Sequence, residues 1–215
     1  MTDKPRYPIS LRLDGLAVLV AGGGVVATRK VARLVECGAR VRVVAPDASA
    51  AIRRLAESGA LAWERRRVDA DADTAGCALV FAATDDPAAN DAVARAARAR
   101  GIPVNRADDP DDCDFLVPAL VRRGAVGIAV DTAGTAPALA KWLARRLEAA
   151  VGDEIGAVAG WFAEVRREVT DGGISAPQRA ALLARILSSP AADAAAAGRH
   201  DEAMRIAREI IAASR

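Results

Sequence analysis

The sequence contains few residues that could serve as stacking platforms, metal ligands or histidine bases. Only 3% of its 215 residues are aromatic, and it has one histidine and three cysteines. Because Cys37, Cys77 and Cys113 stand far apart, they indicate neither a disulfide framework nor a zinc site. The single histidine, His200, lies near the carboxyl end, which excludes a Ser-His-Asp or Cys-His arrangement. We therefore expect no metal site, and any acid-base chemistry falls to carboxylates.

Long apolar runs and an excess of one charge are also missing. The chain has 30 Lys and Arg against 28 Asp and Glu, a net charge of +2, with both signs interspersed. This pattern predicts neither a nucleic-acid-binding stripe nor a polybasic membrane patch. The amino-terminal segment lacks the apolar core of a signal peptide, and no stretch approaches the length of a membrane span. We expect a soluble, cytoplasmic protein with no nucleic-acid or membrane partner.

The most informative segment is an apolar strand that leads through a glycine turn into a helix. Residues 16–27 read LAVLVAGGGVVA. In the pattern G-x-G-x-x-G/A, Gly22 makes the tight turn, Gly24 lets the backbone approach a pyrophosphate, and Ala27 allows close packing of the helix. Unpaired N–H groups at the start of the helix favour an anion there. We interpret the segment as a dinucleotide-binding turn, with a purely structural strand-turn-helix as the alternative.

Strands and helices alternate after this turn, which predicts an α/β fold with a Rossmann-like parallel sheet. Further strands are expected at residues 40–45, 61–64, 77–83 and 102–105, and helices at residues 25–37, 48–57 and 88–100. Ligands bind such sheets outside the carboxyl ends of the strands. The ends that should therefore converge are residues 22–24, 45–47, 83–86 and 105–110.

The pattern changes after residue 114. Apolar runs at 115–121 and 125–130, separated by Arg-Arg-Gly, predict a hairpin, and the rest of the chain has helical periodicity. A two-stranded ribbon is marginal alone, so we expect the hairpin to extend the sheet or to pair across a homodimer. The expected regions are a Rossmann domain at 1–113, a hairpin and helix for dimerisation at 114–150, and a helical carboxyl-terminal region at 151–215.

Acidic residues follow two of the predicted strands. Asp47 comes 23 positions after Gly24, near where an acidic residue binds the adenosine ribose of NAD. It could also cap the next helix, and the two roles are compatible. No Arg follows it immediately to receive a 2′-phosphate, which favours NAD over NADP. The turn at 108–114, DDPDDCD, is either a solvated loop or a proton-transfer site, because crowded like charges raise one another's pKa.

Six short segments, in this order and spacing, carry a family resemblance. They are residues 8–11 (PISL), 20–30 (VAGGGVVATRK), 82–86 (AATDD), 104–108 (VNRAD), 114–119 (DFLVPA) and 134–140 (GTAPALA). On these motifs the chain resembles the precorrin-2 dehydrogenase/sirohydrochlorin ferrochelatase family, which includes the dehydrogenase portion of siroheme synthase. The resemblance covers residue 7 to about residue 150.

The resemblance implies NAD-dependent oxidation of precorrin-2, a tetrapyrrole, to sirohydrochlorin in siroheme biosynthesis. It makes Asp108 the catalytic acid-base group and places Val25, Val26, Pro46 and Asp47 where the family contacts NAD. It also implies a homodimer. Some members insert a metal into sirohydrochlorin, so a ferrous or cobalt ion is a possible second substrate, and the choice between siroheme and a corrinoid as end product stays open.

The resemblance and the rule of converging strand ends together select the remaining site residues. The cofactor residues added in this way are Gly22, Gly23, Gly24, Thr84 and Asp85. The expected substrate contacts are Asn105, Arg106, Thr132, Gly134 and Thr135. Thr132 stands where some members have a phosphorylatable Ser, and its modification is left open.

Two other functions fit the glycine turn. A module that senses NAD and changes an oligomer would need no catalytic carboxylate. A different small-molecule NAD dehydrogenase is the third reading, and the scarcity of histidine argues mildly against it, because such enzymes often use a histidine base.

Overall fold

The computed structural model describes residues 6–214, and the internal contacts of the chain gather it into two units. The first unit runs to Val117 and the second begins at Pro118. The predicted division at 1–113, 114–150 and 151–215 stays a prediction. No helix among residues 6–214 is both long and apolar enough to cross a membrane.

The first unit is built on a parallel five-stranded sheet. Its strands are β1 (Ala17–Ala21), β2 (Arg40–Val44), β3 (Ala62–Glu64), β4 (Leu79–Ala82) and β5 (Val104–Arg106). They lie in the order β3-β2-β1-β4-β5. The chain reverses its direction of winding between β1 and β4, and this is the point at which parallel α/β sheets bind ligands.

Helices cover both faces of this sheet. They are α1 (Val25–Glu36), α2 (Ala50–Glu57), α3 (Ala70–Thr74) and α4 (Pro87–Ala99). Val18 and Val20 face a core shared with α1 and α2, whereas Leu19 and Ala21 face a second core shared with α4. Because both faces are covered, β1 is apolar at every position rather than at alternate ones. Aliphatic side chains and alanine fill most of both cores, as the low aromatic content requires.

A buried ion-pair network fixes the β3 edge of the sheet. The Asp73 side chain is only 2% exposed and accepts hydrogen bonds from Arg42 on β2, from Arg66 after β3 and from the backbone N–H of Asp69. Burial opposes its ionisation, but these hydrogen bonds lower the pKa of Asp73 to about 2. The network draws Arg66 towards α3.

The second unit consists of a hairpin and five helices. Strands β6 (Ala119–Arg123) and β7 (Val126–Val130) pair antiparallel around Gly124, whose φ of +56° suits the tight turn. The helices are α5 (Pro137–Ala150), α6 (Glu154–Asp171), α7 (Ala176–Leu187), α8 (Pro190–Ala196) and α9 (His200–Ala212). Buried side chains of α6 to α9, including Trp161, Val165 and Ile186, form its helical core.

The predicted fold class is confirmed: a Rossmann-like sheet, a hairpin and a helical carboxyl-terminal region follow in the expected order. The short helices α3 and α8 are additional. The hairpin begins at Ala119 rather than at Phe115, because the Phe115 ring packs edge-on against Phe81 of the first unit, 5.3 Å between centroids. The hairpin pairs with itself in a separate two-stranded sheet rather than extending the five-stranded one.

Candidate functional site

The three glycines of the turn have different surroundings: Gly22 and Gly23 pack against neighbouring backbone, and Gly24 does not. Gly22 has φ +114°, and a Cβ there would lie 2.1 Å from the carbonyl oxygen of Ala83. A Cβ on Gly23 would lie 2.2 Å from the carbonyl oxygen of Asp47. A Cβ on Gly24 would meet no heavy atom within 4 Å. The first two glycines are therefore required by the fold, whereas the third borders open space.

The start of α1 suits an anionic ligand. Gly24 is its N-cap and provides no side-chain hydrogen bond to the first turn, which also carries no acidic residue. The N–H groups there and the positive end of the helix favour phosphate. Val25 and Val26 are 75% and 40% exposed beside it. These residues fit a dinucleotide with its pyrophosphate at Gly24.

Ser49 ties the loop after β2 to the glycine turn. Its backbone N–H donates to the carbonyl of Gly23 at 2.9 Å, and its hydroxyl lies 2.7 Å from that of Thr28 on α1. The same hydroxyl accepts the Ile52 N–H and caps α2. Ser49 rather than Asp47 is therefore the N-cap of this helix, and the alternative of Asp47 as a cap is wrong.

Asp47 extends from the end of β2 as an exposed carboxylate, with Pro46 exposed before it. Its Oδ1 accepts the Ala48 N–H at 2.9 Å and an N–H of Arg53 at 2.6 Å. The backbone hydrogen bond and the Arg53 guanidinium hold the pKa of Asp47 below its usual range. Asp47 is thus an ionised acceptor at the carboxyl end of β2.

Asn90, which sequence reasoning missed, organises the loop after β4. It is fully buried on α4, where its Oδ1 accepts the Thr84 N–H at 3.0 Å and its Nδ2 donates to the Thr84 carbonyl at 3.2 Å. Thr84 is partly buried and Asp85 is exposed. The available signal was a polar side chain three positions before Val93, on the buried face of α4.

The acidic turn after β5 is held by Arg106, whose side chain is only 10% exposed. Its Nη2 donates to Asp108 at 2.9 Å and its Nη1 to Asp112 at 2.8 Å. The hydrogen bond from Arg106 lowers the pKa of Asp108. The expectation that crowded carboxylates raise this pKa is wrong, because the fold inserts a guanidinium among them.

Asn105 and Lys30 form a half-buried cluster under the same edge. The Asn105 side chain donates to the carbonyl of Phe115 at 2.9 Å and accepts from Lys30 Nζ at 2.6 Å. Lys30 Nζ also lies 5.0 Å from the centre of the Phe81 ring, and burial lowers its pKa. Asn105 is 4% exposed, so its amide is engaged within the protein.

The remaining predicted substrate residues lie in the second unit, in the turn between β7 and α5. Thr135 donates through both its N–H and its hydroxyl to the carbonyl of Thr132, at 2.9 and 2.6 Å. Ala133 and Gly134 have φ of +52° and +80°. The left-handed conformation is uncommon for alanine, and the tight turn leaves Gly134 and Thr135 exposed.

Among residues 6–214, no group of three or more His, Cys, Asp or Glu side chains is placed to hold a metal ion. His200 is half-exposed at the start of α9, with Nε2 3.4 Å from Glu164. All three cysteines are free thiols.

In the first unit the four predicted strand ends converge. Gly22 N donates to Val44 O, Ala83 N to Ala21 O, and Ala107 N to Ala82 O. Residues 9–119, about half of the chain, match the family described as "Putative NAD(P)-binding". The chain belongs to this NAD(P)-binding family. Its members' cofactor suits the open space at Gly24 and the free end of α1.

Relatives of known name extend the comparison over nearly the whole chain. A siroheme synthase of Methylococcus capsulatus is 42% identical over 202 residues, which are 94% of this chain and 42% of the relative. One from Pseudomonas paraeruginosa is 40% identical over 205 residues, 95% of this chain and 44% of the relative. The chain thus spans less than half the length of these curated relatives.

A solved structure is similar over both units. The protein named SirC, precorrin-2 dehydrogenase, has a TM-score of 0.76 and 27% identity, covering 95% of this chain and all of the other. The resemblance indicated by the six sequence motifs is therefore confirmed at the level of sequence and fold.

Gly24→Asp is expected to abolish NAD+ binding while leaving the fold intact. The new carboxylate would enter open space, so nothing in the protein is displaced, but it would occupy and repel the position of the pyrophosphate. Isothermal titration calorimetry with NAD+ measures the loss, and thermal unfolding measures the unchanged stability.

Gly24→Asn is the matched control, because it adds nearly the same volume without charge and should retain more affinity than the Asp variant. Gly22→Ala should instead unfold at lower temperature, since its Cβ meets backbone. Unchanged NAD+ affinity in Gly24→Asp would remove the assignment of this turn to the cofactor.

Proposed function

We propose that this protein oxidises precorrin-2 to sirohydrochlorin with NAD+ as hydride acceptor. The observation that carries the proposal is Asp108, an ionised carboxylate held by Arg106 after β5. It lies at the same edge of the sheet as the glycine turn that follows β1. The similarity to siroheme synthases and to a precorrin-2 dehydrogenase supports the substrate. A sensor of NAD alone would have no use for a carboxylate held in this way.

The cofactor would be held by the ends of three strands. Gly22 to Gly24 and the N-terminus of α1 would bind the pyrophosphate, with Val25 and Val26 as apolar contacts. Pro46 and Asp47 would bind the adenosine ribose, and the Thr84–Asp85 loop would border the nicotinamide end. When bound, NAD+ supplies the acceptor for the hydride that leaves the substrate.

Asp108 would take the proton. Oxidation of precorrin-2 removes one hydride and one proton, and the proton needs a base that is unprotonated at neutral pH. Arg106 lowers the pKa of Asp108 and fixes the orientation of its carboxylate. We therefore assign Asp108 as the general base of the forward reaction and Arg106 as its positioning residue.

The expected substrate contacts divide into two groups. Asn105 and Arg106 are engaged inside the first unit, which favours a supporting role over direct contact. Thr132, Gly134 and Thr135 stay predicted contacts. Their turn leads into α5, whose first residues have no side-chain cap, and such N–H groups suit the carboxylates of a tetrapyrrole.

Three finer statements stay predictions. Insertion of a ferrous or cobalt ion would consume the same product, and the assay below includes an arm for it. A cytoplasmic location is compatible with three free thiols. Preference for NAD over NADP is supported by Asp47 at the end of β2.

Asp108→Ala is expected to lower the rate of sirohydrochlorin formation by at least about a hundredfold, because a positioned base is lost. The affinity for NAD+ and the stability should stay nearly unchanged. Absorbance spectra of purified protein with precorrin-2 and NAD+ measure the reaction, and a second arm with sirohydrochlorin and ferrous ion measures chelation.

Asp111→Ala is the matched control, since Asp111 is an exposed carboxylate of the same turn. Asp112 is less suitable because it pairs with Arg98 and Arg106. Near-normal turnover by Asp108→Ala would exclude the proposed base. Wild-type protein that binds NAD+ but turns over no tetrapyrrole would favour the sensor.

Arg106→Leu is expected to move the acidic limb of the kcat/KM profile to higher pH. The guanidinium lowers the pKa of Asp108, so its removal lets the base be protonated at a higher pH and activity is lost earlier as the pH falls. Arg98→Leu is the control, because Arg98 pairs with Asp112 and Asp114 instead. Identical limbs in the two variants would contradict the positioning role.

A homodimer is also proposed, with the second unit as its interface. Leu139 and Trp142 are 47% and 45% exposed three positions apart on α5, and the Arg146 guanidinium stacks 4.9 Å from the Trp142 ring. A second copy would cover this apolar face. Light scattering at micromolar concentration should give twice the chain mass, and Trp142→Glu should halve it; a monomeric wild type would contradict the proposal.

A further inference from the structure

Two arginines, Arg53 and Arg65, lie near Asp47 at the end of β2. Arg53 lies on α2, six positions later, and Arg65 lies just after β3, which is the neighbour of β2 in the sheet. The sequence showed no arginine directly after β2, yet the fold brings both guanidiniums to this strand end. Both also act electrostatically on Asp47.

Arg53 is held in place by three contacts. Its Nε donates to the carbonyl of Ala48 at 2.8 Å and its Nη2 to Asp47 at 2.6 Å. Its guanidinium also lies 5.9 Å from the centre of the Trp63 ring. The side chain is nevertheless 49% exposed, so the guanidinium is oriented without being buried.

Arg65 reaches the same strand end from the loop after β3. Its Nε donates to the carbonyl of Pro46 at 3.3 Å. Its neighbour Arg66 turns away to the buried carboxylate of Asp73. Arg65 therefore has no part in the ion-pair network of that edge and adds its charge to Pro46 and Asp47.

The strand end thus carries two guanidiniums and one carboxylate. A ribose 2′-hydroxyl donates a hydrogen bond to a carboxylate, whereas a 2′-phosphate is bound by arginine and repelled by a carboxylate. Both kinds of group are present here, and Asp47 occupies an N–H of Arg53 that a phosphate could otherwise receive.

We propose that Arg53 and Arg65 form a latent subsite for the 2′-phosphate of NADP+, and that Asp47 alone blocks it. This inference rests on the proposed binding of a nicotinamide dinucleotide at the glycine turn. Asp47 is then the residue that determines cofactor specificity, and its charge rather than the shape of the loop excludes NADP+.

Calorimetric titration of the Asp47→Asn variant with NAD+ and with NADP+ tests the proposal without an activity assay. Asn keeps the shape and can still accept the Ala48 N–H, but it no longer repels phosphate. NADP+ should bind at least about tenfold more tightly than to the wild type, while NAD+ weakens modestly. Asp47 is exposed, so circular dichroism should show an unchanged fold.

The arginines are tested on the Asp47→Asn background. Adding Arg53→Ala should remove the gained affinity for NADP+ and leave the affinity for NAD+ nearly unchanged. Adding Arg65→Ala should remove part of the gained affinity for NADP+. Arg54→Ala is the matched control, because Arg54 is the exposed neighbour of Arg53 on the same helix. An equal loss in the Arg53 and Arg54 variants would overturn the subsite.

The outcomes separate this inference from the proposed function. Wild-type protein that binds NAD+, together with an Asp47→Asn variant that gains no affinity for NADP+, overturns the latent subsite and leaves the dehydrogenase assignment standing. Wild-type protein that binds neither dinucleotide overturns the cofactor assignment and the subsite with it.

Discussion

The close approach of the glycine turn to its neighbours is the constraint on which the first unit depends. Gly22 and Gly23 leave no room for a Cβ, because the carbonyls of Ala83 and Asp47 stand little more than 2 Å from where it would be. Three segments of backbone therefore meet at one point, between the two central strands. This packing aligns the strand ends and leaves Gly24 as the only one of the three glycines that faces open space.

At the carboxyl-terminal edge of the sheet, two single charged residues alter the electrostatic environment of the neighbouring charged side chains. Arg106 lies within a turn rich in Asp, where it pairs with Asp108 and lowers the pKa of that carboxyl. At the end of β2, Asp47 pairs with Arg53 and places a negative charge beside Arg53 and Arg65. Arg106 is thus a single cation among carboxylates, and Asp47 is a single carboxylate between two arginines. In each place this one side chain changes the local electrostatic field.

Buried polar side chains connect these groups to the sheet. Asn90 holds the Thr84 loop, while Asn105 joins Lys30 to the backbone beyond the acidic turn. Buried amides with satisfied partners orient loops more firmly than exposed ones do, because breaking them leaves polar groups unpaired. The loops of the proposed site are therefore fixed by the core beneath them.

The order of strands and helices, the glycine turn and the carboxylates at the strand ends could all be predicted from the sequence, because periodicity and turn residues are local signals. The contacts between side chains from separate segments could not be predicted in this way, because they depend on the tertiary structure. The pKa of Asp108 depends on how Arg106 folds back, and Ser49 rather than Asp47 caps α2. Arg65 reaches the end of β2 because β2 pairs with β3, whereas Arg53 reaches Asp47 from α2. Each depends on side chains brought together by packing, and electrostatic effects follow distance in space rather than along the chain.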